Sequence, residues 1–129
     1  MFTAEQIQTA HSKVKSGADF PAYIKAIKAL GVTHYEAYVA DGHIDYHAGK
    51  HHSITIPAKY ETIAIAARPS PEEFKAELLT HQQGKTNYLT FIRSCADTGI
   101  QKWEVCLANM TCTYYDQAGN EILTEDIPH

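Results

Sequence analysis

Residues 84–121 read GKTNYLTFIRSCADTGIQKWEVCLANMTCTYYDQAGNE. The spacing predicts a helix from about Thr86 to Asp97, with Tyr88, Leu89, Phe91, Ile92 and Cys95 on one stripe. Gly99 stops it, as the residue type best able to take the left-handed conformation past a helix end. The period then changes from helical to alternating. Ile100–Ala108 is predicted as a strand and Thr111–Asp116 as its hairpin partner. Gln117-Ala118-Gly119-Asn120 makes a turn into a final strand, Glu121–Ile127.

A weaker copy of this plan lies between Gly17 and Tyr46. Placing Gly31 on Gly99 gives an offset of 99 − 31 = 68 residues. Val32 then meets Ile100, Tyr35 meets Trp103, Glu36 meets Glu104 and Tyr46 meets Tyr114. On the helices Ile24 meets Ile92, Tyr23 meets Phe91 and Phe20 meets Tyr88. At an offset of 67, Thr3-Ala4-Glu5 and Ile7 meet Ser70-Pro71-Glu72 and Phe74. Each unit is too short to bury a comfortable core alone. The expected fold is therefore one α+β domain over residues 1–129. Its two repeats, about 3–67 and about 70–127, are each helix-helix-hairpin-strand, with an antiparallel sheet carrying its helices on one face.

The remaining elements follow from caps and breakers. Thr3 with Gln6, and Ser70 with Glu73, are capping-box pairs, and Pro71 suits a first helical position. Ser16-Gly17 is expected to end the first helix, Asp19 to cap the second, and Gly31 to stop it. Phe74, Leu78 and Leu79 form the stripe of the third helix. Asp41-Gly42 signals a two-residue hairpin turn. That register pairs Val39 with Ile44, Ala37 with Tyr46 and Glu36 with His47. It puts Tyr35, Ala37, Val39, Ile44 and Tyr46 on the core face, and His34, Glu36, Tyr38, His43, Asp45 and His47 on the other. Ser53–Ile56 is a third strand, Lys59–Ala67 an extended segment, and Arg68–Pro71 the joint between halves.

Composition excludes several functions. The chain has 129 residues, 44% hydrophobic and 20% charged, with net charge −4, so it lacks the electrostatic footprint of a nucleic-acid binder. Its apolar runs are far shorter than the roughly 20 residues that span a bilayer. The polar N-terminus does not resemble a signal peptide, and three cysteines without CxxC spacing suit a reducing compartment, so a cytoplasmic location is expected. Gly84-Lys85-Thr86 lacks the earlier glycine and the preceding strand of a phosphate loop.

Two groups carry candidate chemistry. His43, Asp45 and His47 alternate on one strand face with Glu36 nearby, a donor set suited to zinc or another divalent ion. Ordinary solvated polar residues account for the same pattern. The second group is the ligand-binding candidate: Glu36, Tyr38, Glu104, Cys106 and Tyr115 on the sheet face away from the helices. With a turn at Asn109-Met110, Glu104 sits beside Tyr115 and Cys106 beside Thr113. The same register points Cys106 and Cys112 to opposite faces, leaving Cys112 and Cys95 in the core. Two carboxylates could serve acid–base chemistry if one were buried. Binding or self-association ranks above catalysis, with no catalytic residues and no cofactor assigned. The expected partner is a second copy in a homodimer or another protein.

AHSKVKSGADFPAYI, GVTHYEAYVADGH, HQQGKTNYLTF, GIQKWEV and MTCTYYDQAGNEIL resemble the YbcV/YdfO-like family. This is a bacterial and prophage-borne domain of unknown function, often labelled "phage envelope protein". The resemblance covers nearly the whole chain and is most specific at residues 81–86 and 110–116. It implies a small α+β domain of phage or bacterial cytoplasmic origin, with no catalytic residues to transfer. A phage-derived factor acting on a host protein is the reading that follows from it.

Overall fold

The computed structural model describes residues 2–14 and 19–127. In chain order the elements are α1 (Ala4–His11), α2 (Phe20–Ala29), β1 (His34–Tyr38), β2 (Ile44–Ala48), β3 (His52–Ile56), α3 (Pro71–Gln82), α4 (Tyr88–Asp97), β4 (Lys102–Cys106), β5 (Thr111–Tyr115) and β6 (Glu121–Asp126). The strands form one sheet in the order β3-β2-β1-β4-β5-β6, antiparallel throughout. With its four helices this is an α+β fold. The order is palindromic by half: the first strand of each half, β1 and β4, meet in the middle.

Strand alternation decides which side chains are buried. Tyr35 and Ala37 of β1, Ile44 and Tyr46 of β2, Trp103 and Val105 of β4, and Cys112 and Tyr114 of β5 all face inward and are buried. Tyr35 is 3% exposed and Trp103 8%, so the aromatic residues aligned at the 68-residue offset both enter the core. The helices cover this face. Tyr23 of α2 lies edge-on to Tyr35, Phe74 of α3 packs 4.8 Å from Tyr114, and Phe91 of α4 packs 5.8 Å from Trp103. One contiguous apolar cluster draws on both halves, and its burial is the main favourable term holding them together.

The glycines that turn helix into strand work alike in each half. Gly31 has φ +104° and Gly99 φ +83°. Val32 N–H donates to Ile27 O and Gly31 N–H to Lys28 O; Ile100 N–H donates to Cys95 O and Gly99 N–H to Ala96 O. These are matched Schellman endings, which satisfy the carbonyls a helix otherwise leaves unpaired.

Both hairpins differ in register from the sequence expectation. Ala37 pairs with Ile44, Tyr35 with Tyr46 and Glu36 with Asp45 rather than His47. In the second hairpin Val105 pairs with Cys112, Glu104 with Thr113 rather than Tyr115, and Cys106 with Thr111 rather than Thr113. A slip of two residues leaves every side chain on its expected face, because the strand period is two. The turns cause the slip. Of Asp41 and Gly42, only Gly42 has positive φ, and the Asp41 carboxylate instead accepts the His43 N–H at 3.0 Å. Tyr38 N–H donates to His43 O, closing a longer loop. In the second hairpin Met110 takes the left-handed conformation, at φ +54°.

Local signals were met unevenly. The Thr3–Gln6 capping box forms. Helix α1 nevertheless ends at His11, before the expected stop; Ser16-Gly17 lies outside the described residues. Ser70 precedes α3 with ψ 77°, outside the extended conformation usual for a cap, and makes no capping bond; Pro71 does occupy the first turn. Helix α4 starts at Tyr88 rather than about Thr86, and Asn87 caps it, accepting the Thr90 N–H at 2.8 Å. Leu79 and Leu89 were expected to face inward but are 55% and 56% exposed. Phe74, Leu78, Phe91 and Ile92 already fill the buried stripes of α3 and α4. Lys59–Ala67 is neither helix nor strand. It is tied down by Lys59 N–H to Asp41 O, Ile63 N–H to Ala40 O and Ala66 N–H to Ala96 O.

Candidate functional site

The open face of the sheet is built where β1 pairs with β4. Their register sets Glu36 opposite Glu104, His34 opposite Cys106 and Tyr38 opposite Lys102. Like charges directly opposed on a sheet repel. Lys102 offsets this: its Nζ donates to Glu36 Oε2 at 2.8 Å. The same ammonium lies 5.7 Å from the Tyr38 ring centre and 5.4 Å from that of Tyr115, within cation–π range of both. Tyr38 also donates to Glu36 Oε2 at 3.3 Å.

These contacts set the electrostatics. Burial works to raise the Glu36 pKa, but the hydrogen bond and charge of Lys102 outweigh it and hold the carboxyl below its ordinary value. Lys102 is raised chiefly by its hydrogen bond to Glu36. Tyr115 is raised by burial and then by Glu104. The open face thus brings together four of the five ligand-binding candidates, Glu36, Tyr38, Glu104 and Tyr115, around Lys102. Cys106 sits two pairs beyond Glu104 along β4 as a half-buried free thiol. Lys102 itself was not singled out in the sequence; a lysine on a strand carries no local signal.

The histidine group is divided among separate partners. His43 Nδ1 lies 2.6 Å from Asp41 Oδ1, and its ring stacks on Tyr38 at 4.2 Å. Asp45 accepts from Thr55 at 2.6 Å. His47 stacks on His34 at 4.4 Å and places Nε2 3.5 Å from Glu36 Oε1, too long for a hydrogen bond. Among the described residues, no group of three or more His, Cys, Asp or Glu is arranged to hold a metal ion.

On the opposite, helix-covered side lies a cavity of about 160 Å³. Tyr35 and Trp103 are at its floor, Tyr23 and Tyr88 on its helical wall, and His11 and His81 at its partly exposed rim. Tyr23 and Tyr46 hydrogen-bond to each other through their hydroxyls. Burial lowers the pKa of His11, helped by Lys59, and burial lowers that of His81 against an opposing bond from Thr86, so both rings favour the neutral form. Nothing in the sequence signals this space, because the aromatic side chains around it read as ordinary core.

No helix among the described residues is long and apolar enough to cross a membrane. No curated protein matches the sequence. A family model described as a protein of unknown function (DUF1398) matches residues 8–126, and with nearly the full length covered the chain belongs to that family.

Proposed function

We propose that this domain is a non-enzymatic binding module in the cytoplasm, and that its open sheet face engages a basic segment of a partner protein. The observation that carries this reading is the Glu36–Lys102–Glu104 arrangement. Lys102 is already committed to Glu36, which leaves Glu104 as the outward carboxylate of a facing acidic pair. Asp45 adds a third acid on the same face. The Tyr115 ring flanks the cluster and offers a further cation–π surface, whereas the Tyr38 ring is already taken by Lys102 and the stacked His43. Charge complementarity favours a lysine- or arginine-bearing partner over a second copy, whose own carboxylates would be opposed to these. The net charge of −4 acts in the same direction.

The matched helix endings and the palindromic strand order support the further reading that the chain is a doubled half-length unit. A kinship with phage-borne YbcV/YdfO-like proteins would suit a factor that acts on a host protein.

Titration of labelled protein with a short lysine- and arginine-rich peptide, followed by two-dimensional NMR, tests the binding site. Saturable shifts confined to Glu36, Glu104, Cys106, Thr113 and Tyr115, and lost in Glu104→Lys, are expected. Shifts scattered over the surface would overturn it, as would a dimer in sedimentation that buries this face.

A further inference from the structure

We propose that the cavity between the helices and the inner face of the sheet is a binding site for a small, uncharged, planar aromatic molecule of about the size of indole. The site is independent of the open face, since Tyr35 and Trp103 point to one side of the sheet and Glu36 and Glu104 to the other.

Size sets the first limit. Dry cavities of about 150 Å³ accept benzene. The 160 Å³ here is of that size, which suits a one- or two-ring system. A larger space of about 460 Å³ between α1 and α2 is a groove lined by exposed Glu5, Gln6, Thr9 and Lys13, without enclosing aromatic walls.

Shape and surface set the second limit. Tyr35, Trp103, Tyr23 and Tyr88 present rings from the sheet below and the helices above. Ring faces and edges at these positions favour offset-stacked or edge-on contact with a flat guest. Tyr23 and Tyr35 already meet edge-to-face, at 73°, and His11 meets both Tyr23 and Tyr88 at more than 80°. An aliphatic guest of equal volume would fill the space without these contacts.

Charge sets the third. Among the described residues no lysine or arginine lines the cavity, and Lys59 Nζ is held over the Tyr88 ring, 5.6 Å from its centre. The lining acids, Glu125 and Asp126, lie at the end of β6, where Gln82 donates to Glu125 at 3.0 Å. The Tyr23–Tyr46 pair uses its hydroxyls on itself. An anionic guest would lose its hydration and meet carboxylates rather than a cation among the described lining residues, a large penalty. His11 and His81 at the rim, each able to donate or accept, suit a single N–H or O–H on a neutral guest.

The cavity also straddles the two halves. Tyr35 and Trp103, Tyr23 and Phe91, and Phe20 and Tyr88 all line it, and each pair is separated by the 68-residue offset of the sequence alignment. Neither half encloses the space by itself, so a guest would bridge them.

Trp103 is the single tryptophan of the chain and therefore gives one indole N–H resonance. Titration with unlabelled indole is expected to shift that resonance saturably, with Kd below about 1 mM, and to give intermolecular NOEs to the Trp103 and Tyr88 rings. Benzoate, similar in size but anionic, is expected to bind at least about tenfold more weakly. Ala37→Leu, which grows a side chain into the cavity, is expected to abolish indole binding. No saturable shift, NOEs from other parts of the surface, or equal binding of benzoate and indole would overturn the proposal. So would a folded Ala37→Leu protein that binds indole unchanged. The NOEs and the benzoate comparison use the unaltered protein and stand whether or not the variant folds.

Discussion

Glu36 and Glu104 stand opposite each other across the β1–β4 pairing, in a position that is not hydrogen-bonded. Val39 N–H donates to Gln101 O at 2.9 Å and Leu107 N–H to Thr33 O at 2.9 Å, so the odd-numbered β1 residues exchange the backbone bonds. The even-numbered pairs between them are the kind whose Cα atoms approach to about 4.5 Å, with side chains closest. Two carboxylates held this near need a cation, and Lys102 supplies it.

Lys102→Met is therefore expected to cost about 1–2 kcal/mol in urea denaturation, most of it from leaving Glu36 half-buried and unpaired. Water screens part of the pair, since the two side chains keep 27% and 21% of their surface. The pH dependence has a definite sign. The folded pKa of Glu36 lies below 4.5, so its contribution is present above that value and is lost as pH falls through the folded pKa. Glu36→Gln should flatten the acid limb of the stability curve below about pH 4.5.

The rim histidines act in a higher window. His11 and His81 both have folded pKa values below 6.5, lowered mainly by burial. The unfolded chain binds their protons more readily, so stability is full above 6.5 and declines as pH falls from there through the folded values. Urea midpoints measured from about pH 8 to about pH 5 should fall, and the fall should be shallower in His11→Asn. An unchanged slope in that variant would show that His11 is not buried as described.

Much of the fold was legible because strand faces survive a register slip of two. Tyr35, Ala37, Ile44 and Tyr46 were placed inward by alternation alone, and they are. The register was not legible, because residues far along the chain shape the first hairpin loop. Tyr60 OH donates to Val39 O at 2.6 Å, and a Cβ on Gly42 would meet the Tyr60 ring at 2.6 Å. Glu36, Tyr38, Glu104 and Tyr115 were readable as outward-facing residues of one sheet. Their meeting around Lys102 was not, since Lys102 and Glu36 are 66 residues apart and only the β1–β4 pairing joins them.

The two Schellman glycines separate conformational strain from packing. A Cβ on Gly31 would meet nothing within 4 Å, whereas on Gly99 it would meet Pro69 Cα at 2.7 Å and Arg68 O at 2.8 Å. Gly31→Ala should cost about 1 kcal/mol, from the left-handed backbone alone. Gly99→Ala should cost about 2–4 kcal/mol, because backbone atoms of the inter-half joint must also move. Equal losses in thermal denaturation would contradict the close packing of residues 68–69 on Gly99.

The exposed leucines give a complementary test of the helix faces. Leu79→Lys and Leu89→Lys should each change stability by less than about 0.5 kcal/mol. Phe74→Ala, at a fully buried position of α3, should cost about 3–5 kcal/mol. A large loss at either leucine would mean that its helix is rotated from the orientation described.

The β1–β4 pairing joins the two halves, aligns the acidic face and floors the aromatic cavity. The most direct test is the NOE between the Hα protons of Glu36 and Glu104, which is strong only in a non-hydrogen-bonded antiparallel pair. A strong cross-peak is predicted, and its absence alongside intact β1–β2 and β4–β5 cross-peaks would contradict the account.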